Sequence, residues 1–159
     1  MANLSRRGML ASLAFSRKHQ AIRPPYGGGE ALFHQECPTC IDAPCGTVCE
    51  EGIIRINEEK TPELSFDASG CTWCKACAIA CPKGVLEVEN SPKIHARISI
   101  DTATCLAWNS VICSTCKDVC NDKAIDFFGL TRPVVTQACT ACGFCVGVCP
   151  VDAVIRRSE

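Results

Sequence analysis

Aromatic side chains are scarce in this chain of 159 residues, of which Phe, Trp and Tyr together make up 6%. A chain so poor in aromatic residues is not expected to bury a large apolar core, and small domains of this kind generally need crosslinks. No apolar run approaches the roughly 18 residues of a membrane-spanning helix. Glycine-rich nucleotide loops and nucleophile motifs are also absent, so we expect no enzymatic activity and no catalytic residue.

Acidic residues are absent from residues 1–29, where the basic residues are Arg6, Arg7, Arg17, Lys18 and Arg23. The rest of the chain carries 11 basic against 17 acidic side chains, so the charge of the two parts is opposite. A basic terminus suits an acidic partner or an anionic membrane surface, although many charged termini are only solvated. The sequence therefore predicts a partner contact through this tail.

The first residues also resemble an export signal. Ser5-Arg6-Arg7-Gly8-Met9-Leu10 is similar to a twin-arginine signal. The apolar run that follows ends at Phe15, is closed by Arg17 and Lys18, and has no small-residue cleavage site behind it. We therefore expect a retained segment and a cytoplasmic protein, with export to the periplasm as the alternative.

A proline- and glycine-rich stretch follows at residues 24–29, Pro-Pro-Tyr-Gly-Gly-Gly. Such a stretch breaks any helix begun upstream and is typical of a linker. We therefore divide the chain into a basic tail and linker over residues 1–29 and an organised part that begins near residue 30.

Cysteine is the residue that is abundant, with sixteen in the chain. The spacing C-x2-C-x2-C-x3-C-P occurs twice, and we call these runs motif 2 and motif 4. Their ligands are Cys71, Cys74, Cys77 and Cys81, and Cys139, Cys142, Cys145 and Cys149. Three thiolates at steps of three lie on one tight loop and converge on one cubic [4Fe-4S] cluster, whereas the fourth commonly ligates the neighbouring cluster. The two runs predict iron–sulfur binding.

The cysteine runs repeat with a fixed period. The leading cysteines are Cys37, Cys71, Cys105 and Cys139, and each step is 34 residues, which is a repeat signature. Each unit reads as an extended stretch, a cysteine loop, a short helix of small residues and another extended stretch. The predicted fold is α+β, with little regular secondary structure and two tandem ferredoxin-like βαββαβ modules. We place these at residues 30–96 and 97–159.

Two motifs depart from the regular spacing. Motif 1 is C-x2-C-x4-C-x3-C, and motif 3 opens with a gap of seven residues and lacks the final proline. Their cysteines are Cys37, Cys40, Cys45 and Cys49, and Cys105, Cys113, Cys116 and Cys120. A longer loop can still return its thiolate, because the cost of loop closure rises slowly with length. We predict three clusters from motifs 1, 2 and 4 and a fourth from motif 3, with Trp108 as a lid; the alternative for motif 3 is a decayed site with free thiols.

Other uses of cysteine fit the pattern less well. Disulfides need an oxidising compartment, and zinc prefers C-x2-C pairs separated by longer loops. The pairing of motifs stays open between adjacent (1 with 2, 3 with 4) and nested (1 with 4, 2 with 3). Short connections favour adjacent pairing, in which Cys49 completes the cluster of motif 2 and Cys81 that of motif 1.

The segments Ser5-Arg6-Arg7-Gly8 and Ile22-Arg23-Pro24-Pro25, together with the order of the four motifs, resemble the NapF-type ferredoxins. These are the ferredoxin-type proteins of the periplasmic nitrate reductase system. The resemblance covers nearly the whole chain. It implies a cytoplasmic accessory protein that binds the catalytic molybdoprotein and assists its maturation before export, and it implies that motifs 2 and 4 ligate [4Fe-4S] clusters.

Two other functions compete with this interpretation. Every cluster motif fits equally well a plain electron carrier between a quinol-oxidising membrane subunit and a reductase. A redox or iron sensor would need an output module, and the sequence contains none that we recognise. We expect no nucleic-acid partner.

Overall fold

The structure is a computed structural model that describes residues 21–159. Its secondary-structure elements are short, with three to seven residues each. The helices are α1 Glu30–Glu36, α2 Pro44–Thr47, α3 Ala76–Ile79, α4 Thr115–Asp118 and α5 Phe144–Gly147, with a 3₁₀ turn at Cys37–Thr39. The strands are β1 Ile54–Ile56, β2 Pro62–Leu64, β3 Ala96–Ile100, β4 Ile125–Phe127, β5 Pro133–Val135 and β6 Val154–Ser158. The expected α+β class is confirmed.

The second half of the chain has the order β3, α4, β4, β5, α5, β6. Strands β4 and β5 form an antiparallel hairpin. Strand β3 pairs antiparallel with β6, from Ala96 opposite Ser158 to Ile100 opposite Val154. Along β3 the buried residues Ala96 and Ile98 alternate with exposed Arg97, which is the pattern of a strand with one face on the core.

The first half is closed differently, so the βαββαβ order is not formed there as regular strands. Its helices flank one antiparallel hairpin, β1 with β2. Where an outer pair of strands was expected, a single bridge joins Gly27 to Leu86. The Gly28 N–H donates to the Val85 carbonyl at 2.9 Å, and the Glu87 N–H donates to the Tyr26 carbonyl at 3.0 Å. Prolines at 24 and 25 lack the N–H groups that a longer ladder needs.

The stretch at residues 24–29 was expected to be a linker, but its first residues are buried in the core. Ile22 and Tyr26 are buried, at 5% and 2% exposure, and the Leu64 N–H donates to the Ile22 carbonyl at 2.7 Å. Arg23 is also buried: its guanidinium donates to the Glu30 carboxylate, to Thr61 Oγ1 and to a backbone carbonyl. The prolines therefore fix an extended, packed segment. Arg23 is not part of a free basic tail.

The other predictions for the N-terminus, namely the twin-arginine-like signal and the contact through Arg6, Arg7, Arg17 and Lys18, lie outside the described residues. Within residues 21–159, no helix has the length and apolar character needed to span a bilayer.

Candidate iron–sulfur centres

The sixteen cysteines gather around four cavities, and none of them is joined to another by a disulfide. Each cavity takes the first three cysteines of one motif and the last cysteine of the adjacent motif. Site 1 is lined by Cys37, Cys40, Cys45 and Cys81; site 2 by Cys71, Cys74, Cys77 and Cys49; site 3 by Cys105, Cys113, Cys116 and Cys149; and site 4 by Cys139, Cys142, Cys145 and Cys120. The cysteines are thus grouped as adjacent pairing requires, with motif 1 next to motif 2 and motif 3 next to motif 4.

The last cysteine of each motif is exchanged between the two cavities of a half. Cys77 lies in α3, and Cys81 follows four residues later, just beyond the end of the helix. Four residues of helix rise about 6 Å, so the two residues are about one turn apart. Cys77 lines site 2 and Cys81 lines site 1, which is the common arrangement for the third and fourth cysteines of this motif.

The loops of motifs 2 and 4 are shaped by left-handed residues on both sides of the second cysteine. In motif 2 these are Trp73 (φ 61°) and Lys75 (φ 66°), and in motif 4 they are Ala141 (φ 59°) and Gly143 (φ 92°). Left-handed residues turn successive backbone N–H groups toward one concave side, which favours an anion there. This conformation suits a loop that wraps around a negatively charged centre.

Backbone N–H groups also point at the sulfurs that cross between motifs. The Ala124 N–H donates to Cys120 Sγ, and the Ala153 N–H donates to Cys149 Sγ, each at 3.2 Å. The residue before each donor is left-handed, Lys123 and Asp152 respectively. Hydrogen bonds to the ligand sulfurs stabilise their negative charge and are one of the factors that set the reduction potential of a cluster.

Burial in the cavities disfavours the thiolate form of the cysteines. Burial raises the pKa of the Cys77 and Cys145 thiols to about 12 and that of the Cys37, Cys71 and Cys116 thiols to about 11. The neighbouring cysteines of each cavity add to this rise in pKa. Four thiolates are therefore unfavourable in such a space unless iron neutralises them, and this donor set fits a [4Fe-4S] cluster.

The cysteines do not have the arrangement of a mononuclear metal site. Among residues 21–159, no group of three or more Cys, His, Asp or Glu side chains is placed to bind a single metal ion, whereas zinc would need sulfurs at about 2.3 Å. Site 3, built from the most irregular motif, is lined by four cysteines as the other three sites are.

The long loop of motif 3 is a structured turn. The Cys105 N–H donates to the Asp101 carbonyl at 3.0 Å, and the Asn109 side-chain amide donates to the Cys105 carbonyl at 2.9 Å. Trp108 Nε1 donates to the Pro133 carbonyl at 3.0 Å. Pro133 and Cys105 both line site 3, and the indole packs against the buried cluster of Cys105, Ala107 and Ala153. Trp108 therefore joins the loop to β5, and its role as a lid stays a prediction.

Sequence reasoning missed two residues that form a wall of site 2, Pro25 and Tyr26. The Tyr26 hydroxyl donates to the Trp73 carbonyl at 3.1 Å, inside the loop of motif 2. Burial, followed by the nearby cysteines Cys71, Cys77 and Cys74, raises the pKa of Tyr26 above its ordinary value. The sequence feature that could have revealed this packed segment is the apolar pair Ile22 and Tyr26, which lies on either side of two prolines.

Comparison with known proteins agrees with this geometry. The family model described as a 4Fe-4S binding domain matches residues 133–155, which include all of motif 4. The ferredoxin-type protein NapF of Escherichia coli K12 is 36% identical over 155 residues, covering 94% of this chain and 92% of the relative. NapF of Haemophilus influenzae is 33% identical over 158 residues, covering 93% and 88%.

A more distant relative is the ferredoxin-type protein NapG of Haemophilus influenzae, 28% identical over 171 residues, which cover 91% of this chain and 61% of NapG. The match to NapF spans nearly the full length of both chains, including all four cysteine motifs and the Ile22–Tyr26 segment. Together with the cysteine-lined cavities, it shows that the chain is a [4Fe-4S] protein of the NapF-type ferredoxin family.

Proposed function

We propose that this chain holds four [4Fe-4S] clusters and acts in the cytoplasm as an accessory factor. Its partner would be the catalytic molybdoprotein of periplasmic nitrate reductase, which it would help to mature before export. The observation that carries this proposal is the similarity to NapF over 94% of the chain. Four cavities of matching composition support the number of clusters.

A bound [4Fe-4S] cluster supplies a centre that accepts and releases single electrons. The chain's own residues do the rest: the four cysteines of each site bind, and backbone N–H groups hold the crossing sulfurs of sites 3 and 4. Apolar walls exclude water, such as Ile53, Ile54 and Leu64 at site 2. The assigned ligands are the twelve cysteines of motifs 1, 2 and 4 and, in addition, Cys105, Cys113, Cys116 and Cys120.

We infer that the chain is not an enzyme in its own right. Each cavity has four cysteines, which leaves no coordination position for a substrate. Of the histidines, His34 is half exposed, contacts the carboxylates of Glu30 and Glu59 and lines none of the four cavities, which is the position of a surface residue rather than of a base.

The competing proposal is an electron carrier between a quinol-oxidising membrane subunit and a reductase. One observation favours it: Cys74 of site 2 is exposed, which would bring that site close to a docked partner. The two proposals differ in what binds stably. A maturation factor holds the unexported precursor of the catalytic subunit, whereas a carrier binds briefly and is oxidised and reduced with each turnover.

The cluster assignment is tested by iron and acid-labile sulfide on protein purified without oxygen. We expect about sixteen irons per chain, falling by roughly four in the double variant Cys113→Ser, Cys116→Ser. About twelve irons, unchanged in that variant, would mean that site 3 is structural. Zinc in place of iron would overturn the proposal as a whole.

The partner assignment is tested by capture of the catalytic subunit, with and without its export signal, at low and at high salt. We expect the precursor to be retained more strongly than the mature subunit. Changing Arg6, Arg7, Arg17 and Lys18 together to Gln should weaken retention and its salt dependence. The matched control changes Arg97 and Arg157, which are exposed on β3 and β6, and should bind as the native chain does. Equal retention of precursor and mature subunit would favour the electron carrier.

A further inference from the structure

Sites 2 and 4 adjoin across the boundary between the two halves. The backbone N–H of Cys71 donates to the backbone carbonyl of Cys142 at 2.7 Å. Cys71 lines site 2, and Cys142 lines site 4. One hydrogen bond therefore connects the wall of a site in the first half to the wall of a site in the second.

The backbones of the two halves approach closely because glycines occupy the contact. A Cβ atom at Gly70 would lie 2.5 Å from the backbone nitrogen of Phe144, and one at Gly147 would lie 2.7 Å from the carbonyl oxygen of Asp67. A Cβ at Gly143 would collide with the ring of Phe66, which is fully buried. No side chain larger than hydrogen fits at these three positions without a shift of the neighbouring atoms.

A charged cluster spans the same boundary. The Asp67 carboxylate contacts Arg55 of β1 at 3.2 Å and Arg156 of β6 at 3.5 Å. The two arginines come from different halves, so a single carboxylate connects them. The junction is a packed and hydrogen-bonded interface, and it fixes the position of site 2 relative to site 4.

Within each half the two sites are adjacent through the cysteine helices. Cys77 and Cys81, one helical turn apart, line sites 2 and 1 respectively. Cys145 and Cys149 line sites 4 and 3 in the same manner. The contacts that join sites are therefore 1 to 2, 2 to 4, and 4 to 3.

We propose that the four sites form one electron path in the order 1, 2, 4, 3, with the contact between Cys71 and Cys142 as the link between the halves. This order differs from the order along the chain and places the two irregular motifs at the ends of the path. The inference rests on the proposed occupancy of the four sites by clusters. In each step one electron leaves one site, which is oxidised, and reaches the next, which is reduced. No bond breaks, no proton moves, and the end sites exchange the electron with one-electron redox proteins.

The order is tested with chains that keep only two sites. One variant loses site 1 through Cys40→Ser and Cys45→Ser and site 3 through Cys113→Ser and Cys116→Ser, so that sites 2 and 4 remain. The second has the same changes at site 1 but loses site 4 through Cys142→Ser and Cys145→Ser, so that sites 2 and 3 remain. Each should bind about eight irons. The readout is the electron paramagnetic resonance spectrum of the fully reduced protein.

Adjoining paramagnetic centres split or broaden each other's signals. We therefore expect a split spectrum when sites 2 and 4 remain and narrow, independent signals when sites 2 and 3 remain. Narrow signals from the first variant at about eight irons, or an equal splitting in both variants, would overturn the proposed order while leaving cluster binding intact. Loss of iron from sites 2 and 4 themselves would overturn both.

A second measurement keeps all cysteines in place. Gly70→Ala forces the two halves apart and should weaken the splitting in the reduced chain without loss of iron. Gly46→Ala is the matched control, since Gly46 also lies beside a ligand cysteine and its added Cβ would meet the Ile54 carbonyl at an ordinary 3.6 Å. An unchanged spectrum in Gly70→Ala would contradict the proposed link between the halves.

Discussion

The second half of the chain brings its ends together with a five-residue ladder, β3 against β6. The first half uses the bridge between Gly27 and Leu86 and the buried segment that precedes it. Both halves still present two cavities of four cysteines each. Both halves have the hairpin and the short helices that hold the cysteines. The contacts that join the ends of a half can therefore differ while the grouping of the cysteines stays the same.

The two closures differ in the forces that stabilise them. The ladder of the second half buries alternate apolar side chains, among them Ile98 at 4% exposure. The closure of the first half depends on one buried cation: Arg23 hydrogen-bonds residues of α1 and of the turn before β2, and its guanidinium lies 5.0 Å from the centre of the Phe33 ring. Substitution of Ile98 should therefore weaken sites 3 and 4, whereas substitution of Arg23 should weaken sites 1 and 2.

The largest effect is expected from Ile98→Ala in β3. Removing a buried isoleucine side chain costs about 3 kcal/mol through lost burial and the cavity left behind. Ile98 also lines site 4, so sites 3 and 4 should lose iron first when the reduced protein is challenged with a chelator. The matched control is Ile112→Ala, at 86% exposure in the same half, which should change little. Equal iron loss from all four sites would show that the halves do not act as separate units of stability.

A slightly smaller effect is expected from Arg23→Ala. Each hydrogen bond to a charged group contributes about 1.5–3 kcal/mol, and the loss should total about 2–3 kcal/mol because Glu30 is half exposed and is rehydrated. Iron should leave sites 1 and 2 first, which is the reverse of the result for Ile98→Ala. Arg97→Ala, the exposed arginine of β3, is the control. Retention of iron at sites 1 and 2 in Arg23→Ala would show that the buried arginine does not hold the first half closed.

Much of the candidate site could be predicted from the sequence because ligand spacing is a local property. The grouping of Cys49 with motif 2 and of Cys81 with motif 1 follows from the common exchange of the fourth cysteine between neighbouring clusters and from short connections. Strand segments near Ile54–Ile56 and Val154–Ser158 followed from alternation of apolar residues.

The rest depended on contacts between distant segments. Prolines at 24 and 25 indicate a break in a helix but not whether the extended segment is solvated or packed, and here Ile22 and Tyr26 pack on the core. The loop of motif 3 places Trp108 near site 3 in sequence, but its hydrogen bond to the Pro133 carbonyl of a neighbouring strand could not be read from that loop. Nothing local to Gly70 or Gly147 shows that another backbone passes within contact distance.

The smallest effect is expected from Tyr26→Phe, which tests whether the closing segment of the first half acts on a cluster site. The change removes the hydrogen bond from the hydroxyl to the Trp73 carbonyl and keeps the ring that forms the wall of site 2. A hydrogen bond of this kind contributes about 1 kcal/mol. Because the acceptor lies in the loop that carries Cys71 and Cys74, the paramagnetic signal of site 2 should change while iron content stays the same.

The second half has no such contact from an N-terminal segment in the part of the chain that the structure describes, so signals of sites 3 and 4 serve as internal references. A shift common to all four signals would mean that the hydroxyl affects overall stability rather than the loop of motif 2.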